Sequence, residues 1–382
     1  MSTHPAARYS PWFGALLCTA AILFVQEAPQ ASQQATPRAG APARTGADLY
    51  KEACAACHGL DGKGRERSVV GFDLALPDFT DCSFASREPD ADWLAVAHDG
   101  GPARGFSTLM PAFGEALSKD DLLAILGHVR TLCGNAAWPR GELNLPRTFF
   151  TEKAYPEDEA VLTTSFATTG SAAISNEIVY EKRFGARNQI EVKLPIDAAK
   201  TADGAWAGGA GDFALGFKRA VAHSLATGSI FAAGGELILP TGDEAAGLSK
   251  NTTVFEPFAS FGQILPRDSF LHAQAGVELP FDTDKAGREA FWRVAGGLTF
   301  TQGMFGRSWT PMVELLGARE LADGESALWD LVPQMQVSLN TRQHLLMNVG
   351  VRLPLNARSG RQTQVLVYFL WDWFDGGLFS GW

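Results

Sequence analysis

The sequence predicts a multidomain protein. A small all-α domain comes first, followed by an all-β antiparallel barrel of about twelve strands that is built to cross a membrane. Three observations carry this reading. A C-x-x-C-H run stands at residues 54–58 among segments of helical period. Beyond Pro139 the period changes to strict alternation of polar and apolar residues. The alternating segments run for about nine to thirteen residues, whereas soluble strands are nearer five or six.

Composition bounds the function before any motif is read. The chain has 382 residues, enough for two or three domains, and 32 Lys+Arg against 42 Asp+Glu give a net charge of −10. That balance disfavours nucleic acid as a partner and gives no charge-driven hold on an anionic membrane. After Arg8 an apolar run extends from Trp12 to Val25. It is too short for a comfortable membrane helix and suits a signal-peptide core, so residues 1–28 read as a signal peptide or an uncleaved N-terminal anchor. Residues 29–45 are mostly Ala, Pro and Gln and read as an extended linker with nothing to bury.

The chemistry centres on Cys54-Ala55-Ala56-Cys57-His58. This is the c-type haem attachment signature. On one helical turn two thiols reach two vinyl groups along one porphyrin edge, and the following histidine offers a neutral imidazole to the iron. A redox dithiol would want a βαβ context, and a zinc site would want a second ligand pair close by; neither is present. Two of the five cysteines are thereby used, and covalent haem with oxidised thiols points outside the cytoplasm.

The run Gly46-x-x-Leu49-Tyr50-x-x-x-Cys54-x-x-Cys57-His58-Gly59-x-Asp61-Gly62-x-Gly64 resembles the start of a class I cytochrome c, and the resemblance covers residues 46–138. It implies a sixth ligand on a Met-Pro loop, which Thr108-Leu109-Met110-Pro111 matches. Met110 is the only methionine between residues 2 and 303, which sharpens that assignment; His98 and His128 are the competitors. Leu76-Pro77-Asp78-Phe79 resembles a segment whose proline carbonyl, in bacterial relatives, accepts the bond from the axial imidazole, so Pro77 is the expected acceptor. The first helix should run over 46–56. It packs on a C-terminal helix, Ser118 to Leu132, that opens with a Ser118-x-x-Asp121 cap and presents Leu122, Ile125, Leu126 and Val129 as one stripe. Relatives usually place an aromatic where His128 stands. A short helix spans Asp90 to Asp99. Cys82 and Cys133 either pair or remain separate thiols.

Residues 139–159 read as a linker and 160–382 as the barrel. Strands are expected to start near Val161, Ser175, Arg187, Gly211, Gly228, Thr253, Ser269, Glu289, Trp309, Ala327, Gln343 and Gln362. Strands of about ten residues, tilted, match a hydrocarbon layer, and an even number suits a closed bacterial barrel. Phe291-Trp292, Trp309, Trp329 and Trp371-Asp372-Trp373 sit at strand ends, as interfacial girdles do. No apolar run in this half would make a membrane helix, so any crossing is by barrel. Gly211-Asp212-Phe213 to Lys218 and Leu237-Ile238-Leu239-Pro240-Thr241-Gly242-Asp243 resemble outer-membrane barrels of the phenol-degradation meta-pathway transporter type. The last strand, near Thr363 to Trp373, is followed by a tail where such barrels usually end, so either the tail is an extension or that strand is displaced. The rival fold is a soluble β-sandwich.

Together the halves lead to one expectation. A single covalently bound haem c with His58 and Met110 as axial ligands carries electrons on the periplasmic side of an outer-membrane barrel. It exchanges them with a soluble periplasmic carrier protein, and a small solute is a possible passenger of the pore. A six-coordinate iron has no open position, so no enzymatic activity is expected. The alternatives are a soluble periplasmic haem domain serving a β-sandwich oxidoreductase or binding domain, and a porin whose haem is a redox sensor.

Overall fold

The structure, a computed structural model, describes residues 44–201 and 203–382. The signal-peptide reading over 1–28 and nearly all of the 29–45 linker lie outside the described residues. The helical domain opens with α1 (Gly46–Ala53), whose first turn is closed by a capping box: the Thr45 hydroxyl accepts from the Asp48 amide, and the Asp48 carboxylate accepts from the Thr45 amide. The chain breaks at Cys54 and resumes as α2 (Ala55–His58), then α3 (Arg67–Val70), α4 (Cys82–Ala85), α5 (Asp90–Asp99) and α6 (Lys119–Leu132). The same Ser/Asp box opens α6, with Ser118 and Asp121 exchanging bonds.

Helices α1 and α6 cross to form the core, with Leu49 and Tyr50 against Leu122, Ile125, Leu126 and Val129. The crossing is close enough that a Cβ on Gly46 would lie 2.0 Å from the Ala124 carbonyl oxygen, so only glycine fits there. His128 takes the place of the expected aromatic and does its job, its ring centroid 5.1 Å from that of Tyr50. Cys82 and Cys133 are paired, their Cα atoms 5.2 Å apart, so the bond ties α4 to the end of α6. Replacing both by alanine should lower the stability of this domain by about 3–4 kcal/mol, because the bridge closes a loop of intermediate length. Denaturant titration followed by helix circular dichroism measures the loss.

The second half forms one closed antiparallel sheet. Its segments are β1 (Glu159–Ala167), β2 (Ala173–Phe184), β3 (Asn188–Lys200), β4 (Trp206–Ala210), β5 (Phe213–Ser224), β6 (Ser229–Leu239), β7 (Val254–Leu265), β8 (Ser269–Pro280), β9 (Glu289–Leu298), β10 (Phe300–Thr301), β11 (Ser308–Glu320), β12 (Leu328–Ser338), β13 (Leu345–Pro354) and β14 (Gln364–Asp372). β4 and β5 both pair with β3, and β9 and β10 both pair with β11, so each couple is one interrupted strand. The barrel therefore has twelve strand positions, and it closes where β1 pairs with β14, Glu159 opposite Asp372.

The polarity of the two faces decides the environment. Glu181, Gln189, Glu191, Gln274, Glu314, Gln336 and Asn348 are buried inside, while Ile178, Ile190, Leu215, Phe217, Val313, Val349 and Phe369 are exposed outside. A soluble sandwich would do the reverse and bury its apolar face. This inverted pattern is that of a membrane-spanning barrel. Tight connections at 185–187, 225–228 and 266–268 lie at the end where β1 begins and β14 finishes. The longer ones at 240–253, 281–288 and 355–363 lie at the opposite end. Trp292 and Trp329 pair edge-to-face near the long-loop end, and Trp373 stacks on Tyr180 at the other. Phe291 departs from the expected girdle: it turns inward and is buried. The last strand is not displaced, and residues 373–382 extend beyond it.

Residues 139–158 do not link the domains across open space. They thread into the lumen as a plug. Leu143 and Tyr155 pack on Ala220, Ile230 and Ala232, and Leu145 packs on Phe270 and Met312. The amides of Phe149, Phe150 and Thr151 donate to the Glu314 carboxylate at 2.6, 3.1 and 3.3 Å. The Glu152 amide donates to Gln274, and the carbonyl of Phe150 accepts from Arg293 at 2.6 Å. An irregular segment has no internal ladder for its backbone groups, so inward-facing side chains of the barrel must satisfy them.

Candidate functional site

The C-x-x-C-H run makes one tight turn. Cys54 ends α1 and starts α2, and its carbonyl accepts from the amides of Cys57 at 3.2 Å and His58 at 2.9 Å. The chain then folds back over the turn: the amide of Gly64 donates to the His58 carbonyl, and that of Arg65 to the Cys57 carbonyl. Gly59, Gly62 and Gly64 all have φ near +75°, between 74° and 79°, which this reversal needs and side-chain-bearing residues avoid. The Tyr50 hydroxyl clamps the loop by donating to the Gly59 carbonyl at 2.8 Å.

His58 lies on an aromatic shelf. Its ring stacks on Phe79 at 4.9 Å, and Phe79 in turn meets Trp93 at 5.4 Å. Burial holds the His58 pKa below its ordinary value, which keeps the imidazole neutral as an iron ligand must be. Its Nδ1 is buried without a hydrogen-bond partner. No hydrogen bond joins it to the Pro77 carbonyl in this structure; half-buried Pro77 stands two residues before Phe79, whose ring stacks on the imidazole. The Cys54 thiol is pushed up to about 11, by burial first and by Cys57 second. That is the opposite of the depressed thiol in a redox dithiol. Cys54 and Cys57 are free, whereas Cys82 and Cys133 are bonded.

Met110 is half-buried, and its backbone is tied on both sides: its carbonyl accepts from Gly101 at 3.0 Å, and its amide donates to Ser107 at 3.2 Å. The two competing histidines are otherwise engaged. His98 pairs with Asp99 and packs on Phe305, and His128 packs on Tyr50. Leu60, Val69, Leu74, Phe106 and Leu109 are apolar and exposed in the segments that follow the motif and precede Met110. An orphaned buried imidazole nitrogen, two unpaired thiols on one turn and exposed apolar side chains in the flanking segments fit a flat, apolar, iron-bearing macrocycle.

Residues 41–129 match the family model described as cytochrome C oxidase, cbb3-type, subunit III. This part of the chain is a c-type cytochrome domain. The match ends before the plug, and the cytochrome domain implies haem c. Among curated proteins, none matches the chain. Solved structures to which the chain is similar include an outer membrane channel from Pseudomonas putida F1, 13% identical over 59% of this chain and 99% of that one, with a TM-score of 0.40. The NanC porin is 10% identical over 56% and 98%, TM-score 0.39, and the KdgM porin is 10% identical over 56% and 98%, TM-score 0.37.

The cytochrome domain is docked on the barrel. Arg104 donates to Asp92 at 2.6 Å within its own domain and to the Phe305 carbonyl of the barrel at 2.7 Å, and Phe305 packs on the cytochrome core. Arg87 pairs with buried Asp158 and lies over the Phe374 ring. Inside the lumen, carboxylate oxygens of Glu152, Glu181 and Glu191 gather within 4.8 Å of one another. Lys218, Arg147 and Lys193 pair with them at 2.5, 2.6 and 3.0 Å, so the cluster is a neutralised latch for the plug. Sequence reasoning missed Arg104, Arg342 and Glu314. For Glu314 the only signal was a charged residue at an alternating strand position, which does not name its partner; Arg104 and Arg342 stand in turns, where no period marks them.

Proposed function

We propose that this protein is a one-electron carrier rather than an enzyme, with one haem covalently attached through Cys54 and Cys57 and held axially by His58 and Met110. The observation that carries the reading is the single turn bearing two free thiols and a buried neutral imidazole. Bound there, a haem supplies one-electron exchange between ferric and ferrous iron. Cys54 and Cys57 tether it, His58 stays neutral on the Phe79 shelf, and the exposed apolar lining keeps water from it. Outer-membrane barrels carry their tight turns on the periplasmic side, and the cytochrome domain docks at the tight-turn end. This supports a periplasm-facing haem that trades electrons with a soluble periplasmic protein.

The barrel's own role is that of a closed channel. A cavity of about 400 Å³ lies against the plug, lined by Phe149, Phe150, Lys193, Glu236, Arg293 and Arg352 among others. The plug continues directly from the cytochrome domain, which favours one further reading: a channel whose opening responds to the state of the haem.

Detergent extraction of outer membranes should recover a heat-modifiable, haem-staining band with one haem per chain. Protease added to intact cells should leave the haem-bearing fragment uncut. A salt-extractable soluble protein would end the membrane reading. Met110→Ala should abolish the near-infrared sulfur-to-iron band and let carbon monoxide bind the ferrous protein. If the wild type lacks that band or binds carbon monoxide readily, the axial assignment fails.

A further inference from the structure

The loop that presents Met110 is braced from outside its own domain. Within the loop, the Gly101 amide donates to the Met110 carbonyl at 3.0 Å, and the Phe106 amide to the Gly101 carbonyl at 2.9 Å. A Cβ on Gly101 would sit 2.1 Å from the Ser107 carbonyl oxygen and 3.3 Å from the Met110 Cβ, so the 101–104 turn lies directly against the methionine. The outer face of that turn meets the barrel. Arg342, in the 339–344 connection, donates to the carbonyls of Arg104 at 3.3 Å and Gly105 at 2.8 Å. Its guanidinium also lies 4.3 Å from the centroid of the Phe106 ring and bonds the Asp375 carbonyl at 2.8 Å. Gly105 and Gly381 touch through their backbones: a Cβ on Gly105 would be 2.4 Å from the Gly381 Cα. Gly381 in turn accepts from the amides of Thr341 and Arg342.

We propose that Arg342 of the barrel is a positioning residue for the sixth ligand, holding the 100–110 loop so that Met110 stays on the iron. It rests on the His58/Met110 reading above. One planar, always charged group spans three backbone carbonyls and a ring, a geometry that lysine cannot reproduce. Axial ligation then depends on docking. A cytochrome domain lifted from the barrel rim loses the brace and exchanges its methionine more freely.

The test uses the full-length holoprotein in detergent, as wild type and with Arg342→Ala, Arg342→Gln and Arg342→Lys. Heat-modifiable mobility reports whether each barrel is folded, and the two milder substitutions serve if alanine is not tolerated. The alanine variant should weaken the near-infrared band and raise the methionine-off population, read as the rate of carbon monoxide binding, roughly tenfold or more, the scale of one lost charge-assisted bond. Lysine should restore part of the effect. Amide hydrogen exchange of Gly101, Phe106 and Met110 should speed up in the alanine variant, while Leu122 to Val129 in α6 are unchanged. Folded variants with wild-type band, carbon monoxide kinetics and loop exchange overturn the proposal alone. A wild type without the band overturns the ligand reading and the proposal together.

Discussion

Reconstituted into a planar lipid bilayer, the intact protein should sit closed, and Glu314→Ala should open it. Glu314 is fully buried on the inner face of β11 and takes bonds from the amides of Phe149, Phe150 and Thr151, from the Thr151 hydroxyl at 3.3 Å and from Gln334 at 2.8 Å. Five donors converge on one carboxylate, from an irregular stretch of the plug and from Gln334 of the barrel wall. Alanine removes the shared acceptor of all five at once. Breaking a buried charged contact in this way costs about 3–5 kcal/mol. That would raise the plug-out population by on the order of a hundredfold or more. Single-channel recordings should show frequent openings in the variant and rare ones in the wild type. Glu314→Gln keeps two of the acceptor sites and should fall between them. If alanine and wild type conduct alike while both barrels remain heat-modifiable, Glu314 does not secure the plug.

The second large effect is expected at His58. His58→Ala should leave a protein that inserts as a folded barrel but carries little haem. On the proposed haem reading the imidazole is the one group on the C-x-x-C-H turn that would address the iron, and its ring stacks on Phe79. Without it the thiols of Cys54 and Cys57 have no metal contact to align the macrocycle above them. Haem staining normalised to barrel protein should drop to near background, with unchanged heat-modifiable mobility. Retention of wild-type pigment after acid-acetone extraction of the variant would show that the thioethers form without His58.

What could be read from the sequence follows from how local each determinant is. The tight C-x-x-C-H turn, the Ser118 cap and the α6 stripe are set within a few residues, so their spacing announces them. Strand starts were legible for the same reason, because alternation is a period-two property of the strand itself. Alternation does not say which face is wet, and it placed Phe291 in a girdle although the residue turns inward. The plug escaped because its backbone partners, among them Glu314, Gln274 and Arg293, lie more than a hundred residues away. A segment whose decisive bonds are remote looks like a linker. Pro77 was expected from resemblance to accept the hydrogen bond from the imidazole; the contact the sequence did not announce is the Phe79 ring stacked on His58.

The plug also touches the seam where the barrel shuts. Arg147 pairs with Glu159 at the start of β1, and its carbonyl accepts from the Tyr368 hydroxyl on β14 at 2.7 Å. One residue of the inserted segment thus stitches the first strand to the last. Seating of the segment and closure of the barrel therefore stabilise each other, since the contact is complete only when both edges are in place. Loosening the seam would loosen the hold on the domain ahead of it at the same mouth.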